Sequence, residues 1–282
     1  MAELVFTVNS DESVTLQSYL REKCGVSRRL LQKLKNREGG ITRNGEFIRT
    51  VDDVYKGDVI VLNCGESSDI EPNGELKADI VFENENIIIF DKPSGMPVHP
   101  SVRHRRDTLA NLFAYLYPQL TFRSVNRLDK DTSGLCLTAK DPYSANLLQK
   151  KCRKVYFAAA EGIITDSGII DAPIARERES IITRCVRDDG QRAVTRYEPI
   201  MNSRGHTLLK IDLETGRTHQ IRVHFAYIGH PLAGDDLYGG SREFIGRQAL
   251  HCGKMILRLP NSTEETEFSA PLPDDIKNLF EE

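Results

Sequence analysis

The candidate chemistry of this chain centres on an aspartate in a turn. Residues 125–140 read VNRLDKDTSGLCLTAK, in which Asp129 follows Arg127 and precedes a turn-forming Thr-Ser-Gly at 132–134. A carboxylate in a loop that leads into an apolar strand is a candidate nucleophile or general base. An isolated aspartate in a turn more commonly caps that turn through its side chain. The spacing alone leaves both interpretations open.

A phosphatase is one enzyme class that this turn could indicate. The string DKD at 129–131 is similar to the haloacid-dehalogenase pattern D-x-D-x-(T/V), whose first aspartate is a nucleophile. That pattern requires Thr or Val where Ser133 stands. It also requires a buried strand immediately before the first aspartate, where this chain has the polar pair at 126–127. These two mismatches argue against a phosphatase of that type.

The sequence gives little indication of a metal site. His219 and His224 are spaced H-x-x-x-x-H, and the glutamate of the zinc-binding H-E-x-x-H pattern is missing. We therefore interpret these histidines as fold-supporting or close to RNA. The six cysteines are scattered without a C-x-x-C pair, which indicates neither a zinc site nor a disulfide framework. Unpaired cysteines are typical of a reduced compartment, so we expect a cytoplasmic location.

The charge of the chain is small in sum and uneven along the sequence. The net charge of −3 speaks by itself against a nucleic-acid partner. However, Arg21–Arg37 holds seven basic residues and one acid, a local net charge of +6. Arg29, Lys33 and Arg37 are four residues apart, so on a helix they share a face that suits a phosphate backbone. The alternative is a solvated helix face. A second basic cluster, RHRR, lies at Arg103–Arg106.

Composition and hydropathy exclude several classes of protein. At 39% hydrophobic and 28% charged residues, the 282-residue chain is neither collagen-like, coiled-coil nor fully disordered. No run approaches the roughly 18 apolar residues of a membrane helix. The first residues have the character of neither a signal peptide nor a transit peptide. The length favours two domains.

The pattern of elements predicts a small unit, a linker and a larger domain. Residues 63–77 are rich in Gly, Ser, Asn, Pro and acids, so we place domain boundaries at 1–64, 65–77 (linker) and 78–282. In the first unit we expect strands at 4–8 and 57–62, helices at 15–23 and 27–36, and a hairpin at Asn44-Gly45.

The larger domain carries strand and helix patterns without phosphate-loop glycines. G-x-G-x-x-G and G-x-x-x-x-G-K-(S/T) are both missing from the sequence. The predicted elements are a hairpin across 83–85, helices at 108–116 and 141–151, and strands at 133–140, 154–162, 193–200, 207–213 and 255–259. This order predicts an α+β domain with a mostly antiparallel or mixed sheet.

Four segments of the larger domain match a known family in the same order. RLDKDTSGLCLTA resembles the signature of the RluA-type pseudouridine synthases, H-R-L-D-x-x-T-S-G-L-x-x-x-A. The other three are DKPSGMPVHPS at 91–101, KVYFAAAEG at 154–162 and ETGRTHQIRVHFAYIGHPLAGDDLYGG at 214–240. The tail segment FSAPLPDD also fits, so the resemblance covers about residues 78–282. The first unit resembles the RNA-binding domain first described in ribosomal protein S-four.

This resemblance implies a fold, a reaction and a partner. The implied fold is α+β, with a central mixed, largely antiparallel sheet flanked by helices and preceded by a small α/β RNA-binding domain. The implied reaction breaks the N-glycosidic bond of an RNA uridine, turns the base and rejoins it to ribose by a carbon–carbon bond. It needs no metal and no organic cofactor. We expect a monomer that acts on ribosomal RNA rather than transfer RNA. A non-catalytic RNA-binding protein on the same fold is the other alternative.

The resemblance also assigns roles to individual residues. Asp129 resembles the catalytic aspartate, and Arg222 matches the arginine that pairs with it. Tyr156 matches the active-site tyrosine that stacks on the base and can take part in proton transfer. Arg127 matches the arginine implicated in flipping or replacing the extruded nucleotide. The intact trio of Asp129, Tyr156 and Arg222 argues against the non-catalytic alternative.

The remaining assignments concern substrate contacts and one departure from the family pattern. Arg217 and His219, together with the basic face of the first unit, are expected to contact RNA. Asn126 occupies the position where many members have His, which we interpret as a supporting position. Each role also has a structural alternative. Arg222 could form an ion pair with any acid, and Tyr156 could be an ordinary residue of the hydrophobic core.

Overall fold

The computed structural model describes residues 3–11, 13–37, 39–64, 70–149, 151–177, 182–260 and 262–281. The strands are β1 (Glu3–Thr7), β2 (Val14–Thr15), β3 (Ile41–Arg43), β4 (Glu46–Phe47), β5 (Asp53–Val54), β6 (Val59–Asn63), β7 (Asp79–Glu83), β8 (Ile87–Lys92), β9 (Arg123–Ser124), β10 (Ser133–Ala139), β11 (Arg153–Glu161), β12 (Gly168–Asp171), β13 (Ile174–Arg176), β14 (Arg184–Val186), β15 (Val194–Ser203), β16 (His206–Leu213), β17 (Leu250–Arg258) and β18 (Glu265–Ser269). The helices are α1 (Leu16–Ser18), α2 (Arg28–Leu34), α3 (Leu109–Leu116), α4 (Pro142–Leu148), α5 (Gln220–Tyr227) and α6 (Asp274–Lys277). Among these described residues, no helix is long and apolar enough to cross a membrane.

The first unit contains a four-stranded sheet in the order β1-β6-β3-β4, together with two short helices. Ser27 caps α2, because its hydroxyl accepts a hydrogen bond from the backbone N–H of Leu30 at 3.2 Å. The apolar side of α2 is buried in the core of this unit. The predicted strands and the hairpin are thereby confirmed, with small shifts of their bounds, and the second helix forms but ends earlier than predicted.

Two helix predictions in the first unit need correction. The helix predicted over 15–23 is the short α1 followed by a π-helical turn at Tyr19–Lys23, closed by a bond from the Cys24 N–H to the Tyr19 carbonyl. Helix α2 ends at Leu34, and Arg37 lies in the following turn, where its N–H bonds the Leu34 carbonyl at 3.1 Å. Arg37 therefore does not share a helical face with the basic residues of α2.

The segment after the first unit packs on the larger domain. Residues 65–69 of the predicted linker lie outside the described residues. The described remainder makes specific contacts, because the Asn73 N–H donates to the Asn111 carbonyl at 3.0 Å, and Ile70 and Leu76 pack against the main core. The first unit itself touches α4, where the rings of Phe6 and Tyr143 are 5.6 Å apart. The domain boundaries stay a prediction.

A ten-stranded sheet forms the larger domain. Its main path runs β12-β15-β16-β11-β17-β10-β8-β7, with β9 and β18 pairing to β10 and β17. Among the strand pairs that the described residues form in this sheet, β10–β17 is parallel and the others are antiparallel. The predicted mixed, largely antiparallel sheet is confirmed. The hairpin of β7 and β8 is also confirmed, as is α3 with its cap at Thr108.

Two chain segments meet closely at the start of β10, and this contact requires a glycine. Gly134 has a φ of +106°, and a Cβ atom there would lie 2.3 Å from the carbonyl oxygen of Cys252 on β17. Any other residue at this position would have a strained backbone, and its Cβ atom would clash with that carbonyl oxygen. Gly134 thus lets β10 start beside β17 directly after the turn that carries Asp129.

Candidate active site

The turn that carries Asp129 is stabilised by a backbone hydrogen bond within it and by side-chain hydrogen bonds of Asn126 just before it. The Thr132 N–H donates to the Asp129 carbonyl at 3.1 Å. Upstream, the buried amide of Asn126 donates to the Leu135 carbonyl at 3.1 Å and accepts from the Leu137 N–H at 2.8 Å. The main chain of Asp129 therefore closes the turn, while its carboxylate points to other partners. Asn126 supports the start of β10, as expected for a supporting position.

Arg222 on α5 contacts the carboxylate of Asp129. Its Nη1 atom lies 3.2 Å from Oδ2 of Asp129. The other edge of the guanidinium forms two hydrogen bonds to Asp235, each 2.7 Å long. Burial lowers the pKa of Arg222, but the hydrogen bonds and charge of Asp235, together with the charge of Asp129, outweigh burial and raise it. Arg222 is therefore a permanent cation held in one orientation beside Asp129.

A tyrosine and a histidine complete the surroundings of this pair. The guanidinium of Arg222 lies over the ring of Tyr238, 5.0 Å from its centroid. The Tyr238 hydroxyl accepts from the Arg184 backbone N–H at 3.0 Å and lies 2.8 Å from Nδ1 of His219. Since the hydroxyl accepts from that N–H, its own proton can be donated to Nδ1.

His219 thereby faces Asp129 through its other ring nitrogen. Nε2 of His219 lies 3.8 Å from Oδ2 of Asp129, which is longer than a direct hydrogen bond. Burial lowers the pKa of His219, and the charge of Asp129 only partly opposes this effect. At neutral pH the ring is therefore uncharged. His219 itself has a left-handed backbone, with a φ of +57°, at the start of α5.

Tyr156 lies on β11, where it pairs with Cys252 of β17. Its side chain is buried, and burial holds its pKa well above the ordinary value. The phenol is thus protonated at physiological pH. Such a ring can stack on a base or donate a hydrogen bond, but it cannot serve as a ready-made anionic base.

The side chains of Asp129, Tyr156, His219 and Arg222 line one cleft that opens to solvent. Leu128, Leu213, Ile221 and Leu250 supply apolar surface. The cleft brings together all six residues of the larger domain that the sequence predicts for the site, which are Arg127, Asp129, Tyr156, Arg217, His219 and Arg222. Their individual roles stay predictions.

The predicted RNA contacts of the first unit lie elsewhere. Arg29 and Lys33 are on the exposed side of α2, and Arg37 is exposed in the turn after it. None of the three lines the cleft. His224 is also separate from it, because its two ring nitrogens contact the Thr195 hydroxyl and the Ala172 carbonyl, each at 2.9 Å. His224 is a core residue.

Asp235 and Tyr238 are two further residues of the site that the sequence motifs do not indicate. Both lie in the GDDLYGG portion of the segment quoted for the family resemblance, but no spacing rule connects them to Asp129. Asp235 is 1% exposed, and a buried acid requires a charged or hydrogen-bonding partner, but this burial is visible only in the folded chain. In the described part of the chain, no group of three or more His, Cys, Asp or Glu side chains could hold a metal ion.

The arrangement suits nucleophilic or general-base chemistry on a nucleoside. A carboxylate beside a fixed cation can attack a carbon atom or remove a proton. A buried neutral phenol and apolar walls offer a surface for a flat base that has left its stack. An exposed arginine at the rim, Arg127, can reach the nucleic acid from which the base is drawn.

Comparison with known proteins agrees with this geometry. Residues 86–227 match the family described as RNA pseudouridylate synthase. An uncharacterized RNA pseudouridine synthase of Bacillus subtilis, YjbO, is 37% identical over 95% of this chain and 98% of its own length. The ribosomal large subunit pseudouridine synthase D of Pseudomonas aeruginosa is 37% identical over 85% of this chain and 82% of its own length.

A solved structure supports the same assignment. Human RNA pseudouridylate synthase domain containing 1 superposes with a TM-score of 0.59 at 25% identity, over 71% of this chain and 86% of that protein. Together with the relatives, this likeness covers both the fold and the motifs around the cleft. The chain belongs to the RluA-type family of RNA pseudouridine synthases, isomerases that convert uridine in RNA to pseudouridine.

Proposed function

We propose that this isomerase acts on uridines of large-subunit ribosomal RNA and that Asp129 is its catalytic carboxylate. The observation that carries the assignment of Asp129 is its hydrogen bond to Arg222, a buried cation that Asp235 orients. No other carboxylate lines the described cleft. The cleft therefore offers one acidic group to the substrate, next to the phenol of Tyr156.

The ribosomal target is supported by relatives. Besides the Pseudomonas aeruginosa protein, the ribosomal large subunit pseudouridine synthase D of Escherichia coli is 38% identical over 81% of this chain and 77% of its own length. Similarity over most of both chains favours a shared class of RNA.

The proposed reaction is an isomerisation without loss of atoms. A uridine enters the cleft with its base against Tyr156 and its ribose toward Asp129. The carboxylate either attacks C1′ or removes a ribose proton, and the C1′–N1 bond breaks. The uracil turns and C5 bonds to C1′. On the first route this step breaks the bond between C1′ and the carboxylate, and on the second route the carboxylate returns the ribose proton. C5 then loses its proton and N1 gains one. Arg222 keeps the carboxylate oriented through these steps, and Arg127 occupies the space that the flipped nucleotide leaves.

The first unit, residues 1–64, is proposed to bind RNA in the manner of the domain of ribosomal protein S-four. Arg29 and Lys33 present positive charge on the exposed side of α2. A second RNA-binding unit on the same chain raises the effective concentration of substrate at the cleft of residues 78–282. Because one chain carries both units, a monomer can bind and modify RNA without a second subunit.

Mapping pseudouridine after gene deletion tests the target. RNA from the deletion strain should lack one or more pseudouridines in large-subunit ribosomal RNA, and the wild-type gene should restore them. A deletion strain that retains every pseudouridine in ribosomal RNA but lacks pseudouridines in transfer RNA would refute the ribosomal target. The assignment of Asp129 would still be tested on the transfer RNA.

A further inference from the structure

The basic turn, which we define as residues 100–106, projects from the larger domain between β8 and α3. It is closed by two backbone hydrogen bonds between Ser101 and His104, at 2.7 and 3.2 Å. Val102 at its tip is 88% exposed, an unusual position for an aliphatic side chain. Arg103 and Arg105 are exposed beside it, and in the described part of the chain neither side chain has an ion pair.

The basic turn is rigidly attached to the domain. The buried amide of Asn111 on α3 donates to the Arg105 carbonyl at 3.0 Å, and the amide of Asn73 donates to the Arg106 carbonyl at 2.8 Å. The Arg106 side chain is already paired with Glu71 at 3.1 Å. Its role is therefore structural, while Arg103 and Arg105 present their charge to solvent from a preformed support.

The segment that leads into the basic turn lies beside the loop that carries Asp129. The buried ammonium of Lys92 donates to the carbonyls of Met96, at 2.8 Å, and Lys130, at 3.0 Å, so the strand entering the turn is adjacent to that loop. The segment that connects β8 to the basic turn is therefore held against the loop of Asp129.

We propose that the basic turn is a docking element for the RNA strand that enters the cleft. Arg103 and Arg105 contact phosphates on one side of the target nucleotide, and Val102 packs on the apolar surface of a neighbouring base or ribose. Unpaired arginines on a preformed turn match the chemistry of an RNA backbone. An apolar tip is the kind of group that nucleic-acid-binding proteins insert between bases. This inference rests on the proposed function for its substrate and extends it to a surface outside the cleft.

A matched control is available at the far ends of two strands. Leu213 and Leu250 line the cleft at one end of β16 and β17. Arg204 precedes the other end of β16, and Arg258 closes the other end of β17. At the rise of a strand these ends are roughly 25 Å from the cleft. Arg204 and Arg258 are exposed, so reversing them changes the net charge of the protein equally without touching the basic turn.

The test measures binding to an unmodified transcript of large-subunit ribosomal RNA across a series of salt concentrations. The double variant Arg103→Glu/Arg105→Glu should bind at least about tenfold more weakly. The slope of log K against log salt should fall by about 1.5, since about 0.7 to 0.9 is lost per phosphate contact. Arg204→Glu/Arg258→Glu should keep both values. Val102→Ser should weaken binding about threefold with an unchanged slope, because it alters no charge.

Several outcomes would overturn the proposal. If the Arg103/Arg105 variant keeps the wild-type affinity and salt slope, these arginines make no phosphate contacts. If the control variant loses as much affinity and slope as the Arg103/Arg105 variant, the attraction depends on overall charge and not on the basic turn. An unchanged affinity of Val102→Ser would remove the apolar contact. Circular dichroism of each variant separates these results from loss of fold. If the wild-type protein forms no pseudouridine in the transcript while binding still depends on the basic turn, the proposed target fails and the docking element stands.

Discussion

Arg222 and Asp129 are joined by a single hydrogen bond, from Nη1 to Oδ2 at 3.2 Å, while the rest of the guanidinium binds Asp235 at 2.7 Å. Asp235 is buried and Asp129 is partly exposed to the cleft. The two carboxylates thus divide their tasks. Asp235 orients the arginine, and Asp129 remains accessible to a substrate.

Asp235→Asn should impair both stability and catalysis. Removing one member of a buried ion pair leaves the charge of Arg222 poorly compensated, at a cost of about 3 to 5 kcal/mol in the free energy of unfolding. The freed guanidinium can shift relative to Asp129, and we expect kcat/KM to fall by about 100-fold. Denaturant unfolding and steady-state kinetics measure the two effects.

Asp236→Asn is the matched control for this prediction. Asp236 is the next residue in the chain, but it pairs with Arg242 on the surface, where both side chains are more than half exposed. An exposed pair of this kind contributes less than about 1 kcal/mol. Equal behaviour of the two variants would contradict the orienting role of Asp235.

Tyr238→Phe should reduce kcat/KM about tenfold with little change in fold. The substitution removes the hydroxyl that contacts Nδ1 of His219 at 2.8 Å and accepts from the Arg184 N–H. Leaving such groups without a partner costs about 1 to 3 kcal/mol. Tyr227→Phe, on the exposed end of α5, is the control. If Tyr238→Phe matches the wild type in kcat/KM, the hydroxyl does not position His219.

The free energy of unfolding should fall as the pH drops from about 6.5 to 4. Burial lowers the pKa of His251 to about 4, and its Nδ1 lies 3.0 Å from the Ser133 hydroxyl. Between pH 4 and 6.5 the unfolded chain binds a proton at this histidine that the folded chain does not. The stability is therefore fully present above pH 6.5, and up to about 3 kcal/mol is lost on acidification.

His251→Gln isolates this contribution. Denaturant unfolding at pH 7 and pH 5 should show a smaller pH-dependent loss in the variant than in the wild type. Burial also lowers the pKa of His99, His219 and His224, so part of the acid sensitivity should remain. An identical pH dependence in both proteins would refute the assignment to His251.

Gly134→Ala should destabilise the protein by more than about 3 kcal/mol. The added Cβ would lie 2.3 Å from the Cys252 carbonyl oxygen, and the residue would have to keep a φ of +106°. Gly246→Ala is the control, since its Cβ would meet no atom within 4 Å. A melting temperature of Gly134→Ala equal to that of the control would show that the β10–β17 contact is more adaptable than the structure indicates.

Site residues are predictable from the sequence where they stand within a motif that matches the family. Asp129, Tyr156 and Arg222 each stand in a matching segment, and the structure brings them into one cleft. Asp235 and Tyr238 could not be predicted in the same way, because their roles arise from contacts with Arg222 and His219 in the folded chain. Periodicity describes one element at a time and does not reveal which turn folds back onto which helix.

The contacts of the predicted linker could not be predicted from its sequence either. Its glycine, proline and acids are typical of a connection, yet Ile70 and Leu76 pack on the core and Asn73 bonds the backbone of α3. Local composition does not show whether a polar segment finds partners on a neighbouring surface. The exposed end of α2 is similar, since the chain turns after Leu34 and removes Arg37 from the helical face.

The catalytic role of Asp129 is tested most directly by comparing Asp129→Asn with Asp131→Asn. Both variants replace one carboxylate of the same loop, but only Asp129 contacts Arg222 and lines the cleft. Purified proteins would be incubated in excess over an unmodified RNA transcript that the wild type converts, and pseudouridine would be counted. We predict no product from Asp129→Asn, despite retained RNA binding, and product from Asp131→Asn. Pseudouridine formation by Asp129→Asn at the wild-type rate would contradict the catalytic role of Asp129.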